Sequence, residues 1–185
     1  MRCFLGLDLP DSVRAQTAAL YAAWRGAGLK ASWVRPENLH VTVRFLGDIT
    51  PEQMEALDGA MARELEACGP LSLRLAGAGA FPNVRRPSVI WAGVRVEAGD
   101  LPAVFSGGEA GARALGLPPE GRDPHPHVTL ARLRVPPPPG RVEALLETAR
   151  AWESDAFAAA GVALWKSTLR PGGAVYDKLR EYPFA

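Results

Sequence analysis

Three histidines occur in this chain of 185 residues, and two of them open the same short phrase. "LHVTVRFLG" runs from Leu39 to Gly47 and "PHVTLAR" from Pro126 to Arg132, so Thr42 follows His40 by two positions and Thr129 follows His127 by two. Imidazole titrates near neutral pH. One neutral ring can therefore take a proton from an attacking nucleophile while a protonated one gives a proton to a leaving oxygen. A threonine hydroxyl beside each ring can donate to a non-bridging oxygen, where charge gathers in a phosphoryl transition state. Such a set needs no metal and no cofactor. A lone His-x-Thr on a strand is most often a satisfied, half-buried histidine, but two with similar flanks in one chain point to a shared site.

The elements around the motifs must bring them together. On a strand, residues two apart share a face, so His40, Thr42 and Arg44 are expected to point one way, with Leu39, Val41, Val43 and Phe45 facing the core. His127 and Thr129 likewise oppose Val128 and Leu130. Residues 2–9 read as a strand and Asp11 to Gly26 or Gly28 as a helix capped by Asp11 or Ser12, followed by a loop over Ser32–Asn38. After the first His strand, Thr50, Pro51 and Gln53 form a capping-box start for a helix to about Cys68, and "LSLRLAGAG" returns to alternation. The order then repeats: strand "SVIWAGVRV", a helix from Asp100 to about Leu115 weakened by Gly107 and Gly108, and the second His strand. "VPPPPG" breaks the chain, Gly140–Trp152 reads as a helix, "AFAAAGVALWKSTL" as a strand, and "AVYDKLREYPF" as a last strand after a turn at Pro171, Gly172 and Gly173.

His40 lies 38 positions after Arg2, and His127 lies 39 after Ser88. This near-equality supports a duplication: a single α+β domain over 1–185 with approximate halves 1–83 and 84–185. The expected architecture is bilobal and pseudo-twofold, each lobe an antiparallel-rich sheet with helices on its outer face, sharing strands if need be, with a ligand cleft between them.

Other side chains have weaker claims. Arg132 lies five positions after His127, an odd offset that puts it on the opposite face of a regular strand unless a bulge intervenes. Arg44 shares the His40 face, although exposed arginines are more often simply solvated. Trp33, Phe81 and Tyr176 sit in or near loops where a nucleobase could stack, against the commoner reading of core or rim. His125 and His127 form an HxH pair, yet HExxH and paired-cysteine spacings are absent, as are GxSxG and phosphate-loop motifs.

Composition sets the bounds. Lys and Arg total 21 against 20 for Asp and Glu, so a long polyanion has no basic track to follow and any nucleic-acid contact is local. Cys3 and Cys68 lack metal or disulfide spacing and suit a reduced, cytoplasmic chain. "MRCFLGLDLP" is too short and too polar for a membrane span or a signal core.

The segments "FLGLDLP", "WVRPENLHVTVRFLG", "GAGAFPN", "VIWAGV", "PHVTLARL" and "STLRPGGAVYDKL" together resemble the 2H phosphoesterases, and within them the RNA 2′,3′-cyclic phosphodiesterases, also called the 2′-5′ RNA ligase family. The resemblance spans nearly the whole chain. It implies His40 as general acid, His127 as general base, Thr42 and Thr129 orienting the phosphate, and Arg132 as a phosphate contact. It further implies a monomeric enzyme that opens the 2′,3′-cyclic phosphate of RNA 3′ ends to a 2′-phosphomonoester, with 2′-5′ ligation as a secondary reaction. His125 stands where the family more often has an aromatic or arginine-containing lead-in, and by itself reads as a solvated loop residue. Two alternatives stay open: another small cyclic nucleotide or a 2′-5′ oligonucleotide as substrate, and a non-catalytic module that binds RNA ends.

Overall fold

The computed structural model describes residues 1–171 and 173–185. Strand β1 (Arg2–Asp8) leads directly into helix α1 (Asp11–Arg25), which carries Asp11 in its first turn and Arg25 in its last, complementing the helix dipole. Its N-cap is Pro10 and no side chain caps it, so neither Asp11 nor Ser12 fills that role. A short strand, β2 (Ala31–Trp33), takes up the start of the expected loop because it finds a partner far along the chain. Then come β3 (His40–Asp48) and α2 (Pro51–Leu65). Thr50 and Gln53 cap α2 reciprocally, at 3.2 and 3.0 Å.

The second half supplies β5 (Val89–Ala98) after β4 (Leu71–Phe81), then α3 (Leu101–Ala114), β6 (His127–Leu133) and α4 (Arg141–Thr148). The last apolar stretch is two strands, β7 (Phe157–Ala159) and β8 (Gly161–Arg170), parted at Ala160, whose carbonyl accepts from Phe184 N. Strand β9 (Gly173–Pro183) closes the chain, and Gly172 of the expected turn lies outside the described residues.

All the strands join one curled antiparallel sheet in the order β7-β4-β5-β6-β3-β1-β8-β9, with β2 on β6. Read from the β6/β3 junction outward, the order is symmetric: β5 matches β1 and β4 matches β8. The third strand of each half has therefore crossed over. β4 pairs with β5 of the second half, and β8 pairs with β1 of the first.

Helices cross over as well. Trp24 of α1 donates to Thr148 of α4 at 3.1 Å, whereas α3 lies against α2 and β3. The glycines that weaken α3 as an isolated helix permit this approach: a Cβ at Gly108 would stand 2.6 Å from Val43 Cγ1, and one at Gly111 2.7 Å from Met61 Sδ. One apolar core runs under both lobes, from Leu5, Leu7 and Val41 to Ile90, Val128 and Leu130. Cys3 and Cys68 are buried within it as free thiols.

Candidate active site

The two His strands meet at the centre of the sheet through one backbone pairing, Val41 opposite Val128. Antiparallel register then sets His40 opposite Thr129 and Thr42 opposite His127 on the face away from the core. The four side chains form a quadrilateral with the histidines on one diagonal. Val41 and Val128 are fully buried beneath it, anchoring its floor in the core.

Both imidazoles are held in the same way. His40 Nδ1 lies 2.8 Å from Asn38 O, and His127 Nδ1 lies 2.6 Å from His125 O. A carbonyl can only accept, so each Nδ1 carries the proton and each Nε2 is left for chemistry. His40 Nε2 is 3.1 Å from Thr42 Oγ1, whose hydroxyl donates to it when the ring is neutral. The Asn38 side chain in turn donates to Ala174 O at 2.7 Å, tying the orienting carbonyl to β9. No sequence rule marks a backbone carbonyl as an orienter, and this layer was invisible before the fold.

Burial lowers both histidines. His40 falls to about 4, mainly by desolvation, with Asn38 O pulling upward, His127 pushing down, Asp8 pulling upward and Arg132 pushing down. His127 is lowered first by desolvation, against His125 O, and then by the fields of His125 and Arg132. The free site therefore rests with neutral rings at neutral pH. An arriving phosphate anion favours their protonated forms.

Strand parity breaks at the same place in both motifs. Gly6 pairs with Thr42 and Leu5 with Arg44, leaving Val43 as a bulge; Trp91 pairs with Thr129 and Ile90 with Ala131, leaving Leu130 as another. Each bulge falls three residues after its histidine and reverses the facing of the residues beyond it. Arg132 is thereby returned to the cleft, as the phosphate role requires. Arg44 is turned the other way, contrary to simple alternation: its guanidinium binds Glu109 at 2.8 Å and Pro118 O at 2.6 Å, against α3 and the loop after it. Phe45, expected in the core, is instead 42 % exposed and lines the cleft.

The cleft occupies about 360 Å³ and includes His40, Thr42, Thr129, Arg132 and Tyr176. Tyr176 meets the His40 ring edge-on at 5.2 Å, and Phe4, unnoticed in the sequence, stacks on His40 at 4.5 Å. Phe81 meets His127 edge-on at 4.9 Å. Trp33 is turned away, stacked on Tyr21 of α1 at 5.6 Å, because β2 presents it to the helix layer. His125 is exposed, yet its ring packs against Trp91 at 4.7 Å and Phe81 at 5.3 Å rather than standing free in solvent. Among the described residues no three His, Cys, Asp or Glu side chains gather as a metal site would require. No helix among the described residues is long and apolar enough to cross a membrane.

Known proteins resemble this chain in sequence and in fold. The RNA 2′,3′-cyclic phosphodiesterase of Thermus thermophilus is 35 % identical over 193 residues, covering 98 % of this chain and 89 % of that protein. That of Methanothermobacter thermautotrophicus is 28 % identical over 186 residues, covering 98 % of each. Among solved structures, TT0787 of Thermus thermophilus superposes with a TM-score of 0.81 at 28 % identity, covering 100 % of this chain and 98 % of its own. LigT of E. coli, complexed with 3′-AMP, gives 0.73 at 27 % identity, with 99 % and 97 % covered. The model of the family described as LigT like Phosphoesterase matches residues 7–91 and 96–176, one stretch for each His-x-Thr strand. By sequence and by fold alike, the chain belongs to the LigT-like phosphoesterases.

Proposed function

We propose that this phosphoesterase opens the terminal 2′,3′-cyclic phosphate of RNA, leaving a 2′-phosphomonoester and a free 3′ hydroxyl. The observation that carries the mechanism is the diagonal pair of imidazoles, each with Nδ1 held by the carbonyl two residues before it and Nε2 left for the substrate. Neutral His127 takes a proton from water at Nε2 as the water oxygen bonds to phosphorus. The P–O3′ bond breaks, and O3′ leaves with the Nε2 proton of protonated His40. Thr42 and Thr129 donate to the non-bridging oxygens, and Arg132 balances the charge that builds on them. Every proton and every contact is thus assigned to a protein group, and none to a metal.

The named relatives support the substrate: they are RNA 2′,3′-cyclic phosphodiesterases, and E. coli LigT has been crystallised with 3′-AMP. With an RNA 5′ hydroxyl attacking the cyclic phosphate in place of water, the same site would form a 2′-5′ linkage as a minor reaction. The test is to incubate the protein in EDTA with an RNA ending in a 2′,3′-cyclic phosphate and locate the phosphate in the product. Turnover to a 2′-phosphate is expected. Loss of activity restored by zinc or magnesium would overturn the metal-free mechanism, and a 3′-phosphate product would reverse the assigned leaving group.

A further inference from the structure

The cleft extends past His40 to side chains that the reaction at phosphorus does not use. Phe4 stacks on His40, and Arg2 follows two residues away on the same face of β1, about 7 Å farther along the strand. Phe45 pairs with Phe4 across β1 and β3, and the Arg2 guanidinium lies 5.0 Å from its ring centre. Leu169 of β8, 72 % exposed, stands in the same cleft. A phenylalanine turned out of the core by a bulge and a leucine left in water form an apolar wall beside a cation.

Charge narrows the choice of occupant. Among the described residues no carboxylate lines this cleft. Arg2 and Arg132 are the two cationic side chains that line the cleft, and among the described residues neither has a carboxylate partner. Arg132 lies near the end of the His127 strand and serves the reacting phosphate. Arg2 lies beyond His40, with Tyr176 within the field of both cations. Two such cations with aromatic surface between them fit two phosphates joined through a nucleoside.

We infer that the arm formed by Arg2, Phe45 and Leu169 seats the nucleotide preceding the terminal one, Phe45 stacking on its base and Arg2 binding the phosphodiester that links the two. The inference rests on the proposed roles, because O3′ protonation by His40 places the terminal ribose on the His40 side and sends the chain outward along β1. The enzyme then prefers RNA ends to free cyclic mononucleotides.

The experiment compares a dinucleotide with the matching nucleoside, each ending in a 2′,3′-cyclic phosphate, through the ratio of their kcat/KM values. The wild-type ratio should exceed one by about 10-fold or more, as stacking and one phosphate contact allow. Arg2→Gln should shrink the ratio and flatten the salt dependence of dinucleotide turnover. Phe45→Ala should shrink it through KM, while Phe45→Trp should retain it. A wild-type ratio near one, or a ratio unmoved in both Arg2→Gln and Phe45→Ala, overturns the subsite while leaving the cyclic-phosphate reaction standing. Failure of the wild type to turn over either substrate sinks both.

Discussion

A histidine two residues before a threonine gains meaning from the group behind its ring. Asn38 and His125 contribute backbone oxygens to His40 and His127, so each Nε2, the atom proposed to transfer the proton, has a set direction before substrate arrives. His40→Ala and His127→Ala should each lower kcat/KM by about 10² to 10⁴, and the double variant should be scarcely worse, because the two groups act as a unit. A steady-state assay that finds near-normal turnover in either single variant would refute the pairing. Burial also displaces the pH profile. The kcat/KM bell reports the free enzyme, where both histidines are lowered, so its maximum should fall on the acid side of the ordinary histidine value, and the kcat bell should lie higher because bound phosphate raises both. The same depression acts on stability. With its folded value near 4, His40 binds fewer protons than in the unfolded chain. Stability is then full above about 6.5 and is lost as pH falls toward 4, by about 3 kcal/mol at most. Denaturant melts of His40→Gln against wild type across that window should show the smaller acid loss in the variant. His40, Thr42, His127 and Thr129 were legible because their side-chain chemistry is written in the sequence, whereas their orienting carbonyls belong to a backbone that looks alike at every residue.

Alternation located the strands but failed beyond each motif, for one physical reason. The bulges at Val43 and Leu130 exist only because β1 and β5 pair with strands far away in sequence, and nothing local announces them. Arg132 was legible as needing a bulge; Arg44 and Phe45 were misread because the matching bulge reverses them. The loop expected at Trp33 was misread for a related reason, since the short strand there exists only through pairing with β6. Capping chemistry, by contrast, is local, and Thr50 with Gln53 was readable outright. Helix α3 shows propensity yielding to packing. Gly108→Ala would favour an isolated helix by about 1 kcal/mol. In place it drives a Cβ to 2.6 Å from Val43 Cγ1, and overpacking of this kind costs about 1–3 kcal/mol. Urea denaturation should therefore show Gly108→Ala destabilised. Since Val43 is the bulge residue beside Thr42, kcat/KM should fall with it, and a stabilised variant of full activity would contradict the packing argument.

Across the whole molecule, the duplication visible as two motifs becomes a sheet whose inner six strands are symmetric about the β6/β3 junction. The sequence could suggest two halves with a cleft between them. It could not suggest that β4 and β8 trade places, because both read as ordinary apolar strands and only packing decides which lobe receives them. Fragments 1–83 and 84–185 should each be largely unfolded by circular dichroism, since each lacks the strand its sheet takes from the other. Mixed together, they should regain helix, sheet and phosphodiesterase activity. A stable fold in either fragment alone would count against the exchange.

The crossed strands also bear on descent. A single ancestral repeat of this shape could have completed its sheet only by trading its third strand with a twin, as a swapped homodimer. Each twin would have brought one His-x-Thr to the symmetry axis, so neither possessed an active site until the two met. Joining two such repeats in one chain would make that encounter permanent and release the two histidines from symmetry, as the separate acid and base roles proposed for them require.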